Sequence, residues 1–194
     1  MNKNTFLNYF LLNKQRISHS APQQPLDTNQ FRKAAVLILI VERRDGLHII
    51  FTQRALHLRN HPGQISFPGG KYETFDRDLK KTALRETLEE IGIPANKITV
   101  LGSLPKLSTT SGFLISPYLG FVSPDHRLKL DEQEVKCSFE VPLDFLLDAN
   151  NFHAKNITRK QKQRFVYLLP YQNRMIWGAT AQILKNLQQQ IAVN

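Results

Sequence analysis

One helical stretch, residues 78–91, constrains this chain more than any other feature because three of its glutamates share one face. Glu86, Glu89 and Glu90 are spaced i, i+3, i+4, and at about 3.6 residues per turn their side chains point in nearly the same direction. Like charges at this spacing repel, so the cluster is favoured when a cation neutralises it. Carboxylate oxygens suit Mg²⁺ and Mn²⁺, which often act on phosphates. The segment predicts a metal-dependent enzyme that acts on a phosphorylated compound.

The opposite face of this helix is apolar. Leu84, Leu88 and Ile91 form a stripe that we expect to pack against a sheet. Gly92 stands where a helix C-cap belongs, and Pro94 follows it. The pattern therefore predicts a helix that ends at Ile91.

The remaining elements mix strands and helices without strict alternation. Predicted strands cover residues 33–41, 47–53, 98–104, 114–122, 133–141, 164–169 and 175–176. The first two strands form a hairpin, as do the last two, and further helices are predicted over residues 143–147 and 179–191. This order predicts an α+β fold or a layered αβα sandwich.

Length and composition fit one main domain. The chain has 194 residues with 41% apolar content, which is enough for one buried core. Residues 1–30 are predicted to form a peripheral N-terminal arm, with a short amphipathic helix around Phe6 and Phe10 and then a polar connector. Residues 31–194 are predicted to form the catalytic domain.

The charge and the cysteine content limit which partners and which cellular compartment the sequence predicts. The formal net charge of +10 fits a polyphosphorylated small molecule, a nucleic acid or an anionic membrane surface. The basic run 155–164 is interpreted as a solvated surface, and no segment is apolar enough to span a membrane. The single cysteine, Cys137, excludes an intramolecular disulfide. We expect a cytoplasmic protein with a small-molecule partner, and no nucleic-acid or membrane partner.

Residues 70–93 resemble the Nudix box, G-x5-E-x7-R-E-U-x-E-E-x-G-U, in which U is a bulky apolar residue. The part from Arg85 to Ile93 matches the fixed charged and glycine positions. Three departures stand out. Asp76 replaces the first glutamate, one extra residue separates it from Arg85, and Thr87 occupies an aliphatic position. The three helix glutamates are undisturbed by the longer loop.

The resemblance implies a Nudix-type αβα sandwich with a mixed central sheet and a pyrophosphohydrolase activity. It assigns Glu86, Glu89 and Glu90 as ligands of Mg²⁺ or Mn²⁺, with Glu89 and Glu90 also catalytic. The general base is either a box glutamate such as Glu90 or an acid from a distant loop, for which Glu134 is the candidate. Nudix relatives are often dimers, so a homodimer is compatible with the family.

A second motif lies immediately upstream. Residues 50–70 resemble the signature of the coenzyme A diphosphatase branch, L-L-T-x-R-[SA]-x3-R-x3-G-x3-F-P-G-G, and match every fixed position from Thr52 onward. The same branch carries the lengthened box, and the resemblance extends over roughly residues 33–190. It implies hydrolysis of the pyrophosphate bond of coenzyme A or its derivatives, giving adenosine 3′,5′-bisphosphate and 4′-phosphopantetheine.

This branch places several basic and glycine residues beside the substrate. Arg54, Arg59 and Lys71 are expected to contact its phosphates, because guanidinium groups bind phosphate oxygens in pairs. Gly69 and Gly70 form a permissive turn that lets a phosphate approach the backbone.

Two alternatives remain open. The first is a Nudix hydrolase of other nucleoside diphosphate derivatives, such as ADP-ribose or dinucleotides. The second, from another class, is a non-catalytic basic RNA-binding or regulatory protein. The intact box glutamates count against the second alternative, because a protein without catalysis has no reason to keep their mutual repulsion.

Overall fold

The most apolar stretch of the chain forms the central strand of a large mixed sheet. The computed structural model describes residues 1–13, 30–159 and 162–191. The strands are β1 (Arg32–Arg43), β2 (Gly46–Arg54), β3 (Ile65–Ser66), β4 (Gly69–Lys71), β5 (Ile98–Ser103), β6 (Leu107–Ser108), β7 (Phe113–Val122), β8 (Val135–Pro142), β9 (His153–Arg159), β10 (Lys162–Tyr171) and β11 (Arg174–Trp177). The helices are α1 (Lys3–Leu12), α2 (Leu79–Ile91), α3 (Leu143–Leu147) and α4 (Ala179–Ile191).

Within the described residues, eight strands form the large sheet around β1. Strands β3, β2, β1, β7 and β5 lie in that order, while β4 pairs with β1, β6 with β7 and β8 with β2. The β1–β7 pair is parallel and the other pairs are antiparallel. The predicted strands 98–104, 114–122 and 133–141 are confirmed as β5, β7 and β8, and the first predicted hairpin is confirmed as β1–β2.

Helices cover both faces of this sheet. Alternate residues of β1 point to opposite sides, so Leu37 and Leu39 pack with the apolar residues of α2. Ile38 and Ile40 pack instead with residues of α1, α3 and α4. The predicted αβα sandwich with a mixed central sheet is therefore confirmed.

Helix α2 begins and ends at caps that the sequence supplies. The Asp78 side chain accepts a hydrogen bond from the backbone N–H of Lys81 at 2.8 Å, which satisfies one of the free donors of the first turn. Gly92 adopts a left-handed conformation with φ 75°, and its N–H donates to the carbonyl of Leu88 at 2.9 Å. The predicted end of the helix is confirmed.

One part of the predicted apolar stripe of α2 is wrong. Leu88 is 49% exposed, whereas Thr87 is fully buried. Thr87 tolerates burial because its hydroxyl donates to the carbonyl of Ala83 at 2.7 Å within the same helix. The helix is rotated so that Thr87 and Glu90 face inward, and this rotation removes Leu88 from the core.

Helix α1 packs on the body of the protein. Phe6 and Phe10 are completely buried, and the Phe6 ring packs edge-on against Phe121 with 6.0 Å between centroids. The side chain of Gln190 in α4 donates to the carbonyl of Phe10 at 3.3 Å. The helical part of the predicted arm thus contributes to the core, while residues 14–29 of its connector lie outside the described residues.

A smaller antiparallel sheet follows α3. Strand β10 pairs with both β9 and β11, which confirms the predicted hairpin of residues 164–169 and 175–176. Strand β9 was not predicted, because the basic run 155–164 lacks an apolar alternation. The backbone of β9 and β10 crosses this run, but residues 160 and 161 lie outside the described part of the chain. No helix in the described ranges is both long and apolar enough to cross a membrane.

Truncation of Phe6 tests whether α1 belongs to the core. Because Phe6 is fully buried, we expect Phe6→Ala to lower the free energy of unfolding by about 3–5 kcal/mol. Leu11 on the same helix is 56% exposed, and Leu11→Ala should change the free energy of unfolding by less than about 0.5 kcal/mol. Urea denaturation followed by circular dichroism measures both variants. Equal losses for the two would show that α1 is not packed as described.

Candidate active site

The strand β4 brings the glycine turn against the central strand and helix α2. Gly69 has φ 155°, and a Cβ at this position would overlap the backbone of Ala35 and Val36 on β1. A Cβ on Gly70 would overlap the carboxylate of Glu86. Both positions therefore require glycine for close approach, and Gly70 sets one wall of the space around Glu86.

Asp76, whose role the sequence leaves open, is a buried anchor. Its carboxylate accepts two hydrogen bonds from Arg85, from Nε and Nη2, each at 3.0 Å. It also accepts from the hydroxyl of Thr82 at 2.9 Å and the backbone N–H of Glu73 at 3.1 Å. The hydrogen bonds from Arg85 are the main cause that lowers the pKa of Asp76 to about 2. Asp76 thus holds Arg85 in one orientation.

Arg85 in turn links the site together. Its Nη1 lies 2.8 Å from the Glu89 carboxylate and 2.9 Å from that of Glu86, and Nη2 donates to the backbone carbonyl of Lys71 at 3.1 Å. The hydrogen bonds to Asp76 are the largest cause that raises the pKa of this guanidinium. One fixed cation therefore joins β4 to two of the three clustered glutamates.

Glu90 is the most buried member of the cluster. It is 4% exposed, and its Oε2 atom is buried without a hydrogen-bond partner. Burial, followed by repulsion from Glu86, raises the pKa of Glu90 to about 8. Glu134 adds to this shift, while Arg54 opposes it. An unpaired buried carboxylate of this kind is stabilised by an added cation.

Residues distant in sequence lie near this cluster, and Glu134 is one of them. The carboxylate of Glu134 helps to raise the pKa of Glu86, for which burial is the largest cause. The backbone carbonyl of Glu134 accepts from the N–H of Ala55 at 2.8 Å, which ties its loop to the end of β2. At that end lies Arg54, whose Nε atom is buried without a hydrogen-bond partner.

The negative charge of the three clustered glutamates suits a cation, but their side chains do not form a complete coordination sphere. Among the described residues, no three His, Cys, Asp or Glu side chains are arranged to hold a metal ion. Glu86 and Glu89 are instead turned toward Arg85. Glu86, Glu89 and Glu90 are the residues that would hold a metal here, and Arg85, which is anchored by Asp76, already pairs with the first two.

A cavity of about 350 Å³ begins at the glycine turn. Gly69, Gly70 and Lys71 line one side, and the first turn of α4 with Trp177 lines another. The hydroxyl of Thr180 donates to the carbonyl of Ile65 on β3 at 3.0 Å and fixes this end of α4. Such volumes are usual for small-molecule sites.

Two predicted site residues differ in their surroundings. Lys71 lines the cavity, whereas Arg59 is exposed on the loop between β2 and β3. Sequence reasoning assigned no role to Trp177, although this residue lies at the cavity wall. One sequence feature could have indicated such a role. A run of small residues follows Trp177, and it marks the place where a strand ends and a helix starts.

The anchoring role of Asp76 is testable. We expect Asp76→Asn to lower the free energy of unfolding by about 1–3 kcal/mol at neutral pH, because it removes the charge that faces Arg85. The deficit should shrink as the pH falls from about 4 through 2, since the native Asp76 is then protonated as well. Asp78→Asn is the matched control, because asparagine caps helices equally well. Equal effects of the two variants in urea denaturation would contradict the anchor.

Burial of Glu90 predicts a pH dependence for the metal-free protein. Its pKa is 4.5 in an exposed setting and about 8 in the fold, so the folded state keeps a proton across this window. Stability should therefore fall as the pH rises from about 5 to 8. The Glu90→Gln variant lacks this pH-dependent loss of stability. In the presence of a chelator its Tm should therefore exceed that of the native protein, by a margin that grows as the pH approaches 8. Glu89→Gln, at an exposed side chain, should follow the native curve. Parallel curves for all three proteins would disprove the burial effect.

Comparisons with known proteins bear on this site. Residues 31–161 match the family model described as NUDIX domain. An uncharacterized Nudix hydrolase NudL from Salmonella newport (strain SL254) is 39% identical over 187 residues, which cover 96% of this chain and 95% of the relative. A NudL from Salmonella paratyphi B (strain ATCC BAA-1250 / SPB7) is 40% identical over 172 residues, 89% of each chain.

A solved structure supports the same fold. The crystal structure of a Nudix hydrolase from Alicyclobacillus acidocaldarius superposes with a TM-score of 0.50 at 19% identity, covering 82% of this chain and 91% of that one. At this identity the likeness concerns the fold alone. The family match and the full-length relatives show more: this chain belongs to the Nudix family and is a Nudix pyrophosphohydrolase.

Proposed function

We propose that this hydrolase cleaves the pyrophosphate bond of coenzyme A or a derivative, giving adenosine 3′,5′-bisphosphate and 4′-phosphopantetheine. The observation that carries the proposal is the setting of Arg54, the first arginine of the upstream signature. Its Nε–H is buried without an acceptor, and its charge acts on Glu90. A buried donor without a partner costs free energy until an acceptor reaches it, and a pyrophosphate oxygen is such an acceptor.

We propose Glu86, Glu89 and Glu90 as the ligands of Mg²⁺ or Mn²⁺, in keeping with the general use of divalent metal ions by Nudix hydrolases. When bound, such an ion polarises the pyrophosphate and lowers the pKa of water. The orphaned Oε2 atom of Glu90 supports this assignment because its ionised form lacks a counter-charge. Arg85 keeps the helix glutamates close together while it is itself held by Asp76.

The structure favours Glu134 as the general base in this proposal. Glu90 holds a proton at neutral pH when no cation is present, so it is a poor acceptor by itself. Glu134 is exposed to solvent, and its charge acts on both Glu86 and Glu90. It can therefore accept a proton from water beside the cluster and release it to solvent.

The exposed cations of the upstream loop favour a substrate with more negative charge than a plain pyrophosphate. Arg59 is exposed on the loop after β2, and Lys71 is exposed at the cavity. Coenzyme A carries a ribose phosphate besides its pyrophosphate, and arginine can bind such a group in a bidentate manner. ADP-ribose and NADH lack this additional phosphate and would leave these cations solvated.

Substrate comparison tests the proposal directly. We expect coenzyme A to be cleaved with Mg²⁺ or Mn²⁺ at a kcat/KM well above those for ADP-ribose and NADH, with adenosine 3′,5′-bisphosphate identified by chromatography and mass spectrometry. Glu90→Gln should lose activity, and Glu134→Gln should lower kcat by about 10²–10⁴-fold if Glu134 is the base. Asp125→Asn, at an exposed acid of the same loop between β7 and β8, is the matched control. Equal or better turnover of ADP-ribose would remove the coenzyme A assignment.

A further inference from the structure

The cavity at the glycine turn continues into a second one of about 330 Å³. Both cavities are lined by Thr109 and Thr110 on one side and by Trp177, Gly178 and Ala179 on the other. These shared walls make the two spaces one groove with two lobes. The first lobe reaches Gly70, which contacts Glu86, and the second lies beside the smaller sheet.

The second lobe carries no formal charge on its described lining. Its walls include Leu107, Val166 and the aromatic side chains of Phe165, Tyr167 and Trp177. Two of these aromatic residues are unusually exposed: Phe165 by 63% and Trp177 by 43%. Exposed aromatic groups around a concave space are typical of a site that buries an uncharged ligand group.

Polar groups in this lobe are neutral and suited to amides. Ser108 and Gln182 line it, and both side-chain types can donate and accept hydrogen bonds. The hydroxyl of Thr109, which also lines it, is bonded to the backbone of Phe113. Among the described lining residues no cation is present to replace the hydration that a phosphate dianion would lose here. An uncharged chain with amide groups would keep its hydrogen bonds while burying its methylene groups.

Cations line a different cavity. This third space, of about 770 Å³, is lined by the cations Lys129 and Lys136, by one carboxylate, Glu132, and by His57. It shares no lining residue with the other two among the described residues. Ala55 and Val135 also line it, and Ala55 donates to the carbonyl of Glu134. The charged cavity thus lies on the side of the site where Glu134 is found, and it is separate from the aromatic lobe.

We propose that the lobe around Trp177 binds the pantetheine arm of the substrate, so that the adenosine bisphosphate half lies toward the cationic cavity. This orientation rests on the proposed function. The two halves of coenzyme A differ in the required way: the adenosine half bears the additional phosphate, whereas the pantetheine arm is uncharged and contains two amides. The pyrophosphate then lies between the lobes, at the glycine turn and the glutamates.

Trp177 is the single tryptophan of the chain, so its fluorescence reports on the wall that the two lobes of the groove share. The protein is titrated in a chelator with 4′-phosphopantetheine and, separately, with adenosine 3′,5′-bisphosphate, with excitation at the red edge of the indole band to avoid adenine absorption. We expect a saturable blue shift with 4′-phosphopantetheine and none with the bisphosphate. A shift with the bisphosphate, or none with 4′-phosphopantetheine up to its solubility limit, would overturn the orientation.

A pair of variants separates a local contact from a general disturbance. Phe165→Ala removes an exposed wall of the lobe and should weaken 4′-phosphopantetheine binding about tenfold, with a similar rise in the KM for coenzyme A and little change in kcat. Met175→Ala is the control, because Met175 is exposed on the same sheet and lines neither lobe. Equal effects of the two variants would disprove the assignment.

The two proposals fail in different ways. Absence of coenzyme A cleavage, with another substrate preferred, removes the proposed function whatever Trp177 reports. Efficient coenzyme A cleavage, combined with a Trp177 response to adenosine 3′,5′-bisphosphate alone, leaves the function in place and reverses the orientation of the substrate.

Discussion

The ion pair between Asp76 and Arg85 is the interaction on which the rest of the site depends. A bidentate contact with a buried carboxylate fixes the guanidinium in one plane, and the same group then reaches Glu86, Glu89 and the backbone of Lys71. Three consecutive elements, namely β4, the loop before α2 and the helix itself, are joined through one side chain. Repulsion among the helix glutamates is partly offset by this cation.

The site also stores an unfavourable interaction. Glu90 is buried against the glycine turn with one oxygen unbonded, beside Glu86 and in the field of Glu134. The apolar packing of α2 against β1 holds it there, since Ile91 is completely buried. The helix alone would be more stable with this carboxylate exposed to water. Its position makes sense as preparation for a cation, because a bound charge would convert repulsion into attraction.

Sequence reasoning succeeded where local pattern and family motif agree, and it failed where tertiary contacts decide. The ends of α2 follow from Asp78 and Gly92, and the positions of β1, β2, β5, β7 and β8 along the chain follow from apolar runs. The burial of Thr87 in place of Leu88 depends on how the helix is rotated against the sheet, which its own periodicity cannot distinguish. Likewise the role of Asp76 requires the loop geometry, because a carboxylate one residue out of register can still reach Arg85.

The packing of α1 has a consequence for how the chain is made. The hydrogen bond that joins Phe10 to Gln190 spans 180 positions, and Phe6 and Phe10 are buried against elements that include α4. On the ribosome the first helix therefore emerges long before its partner exists, and its two phenylalanines stay without their native contacts until synthesis reaches α4. Completion of the core is in this respect a late event, governed by the order of translation and by a contact of high sequence separation.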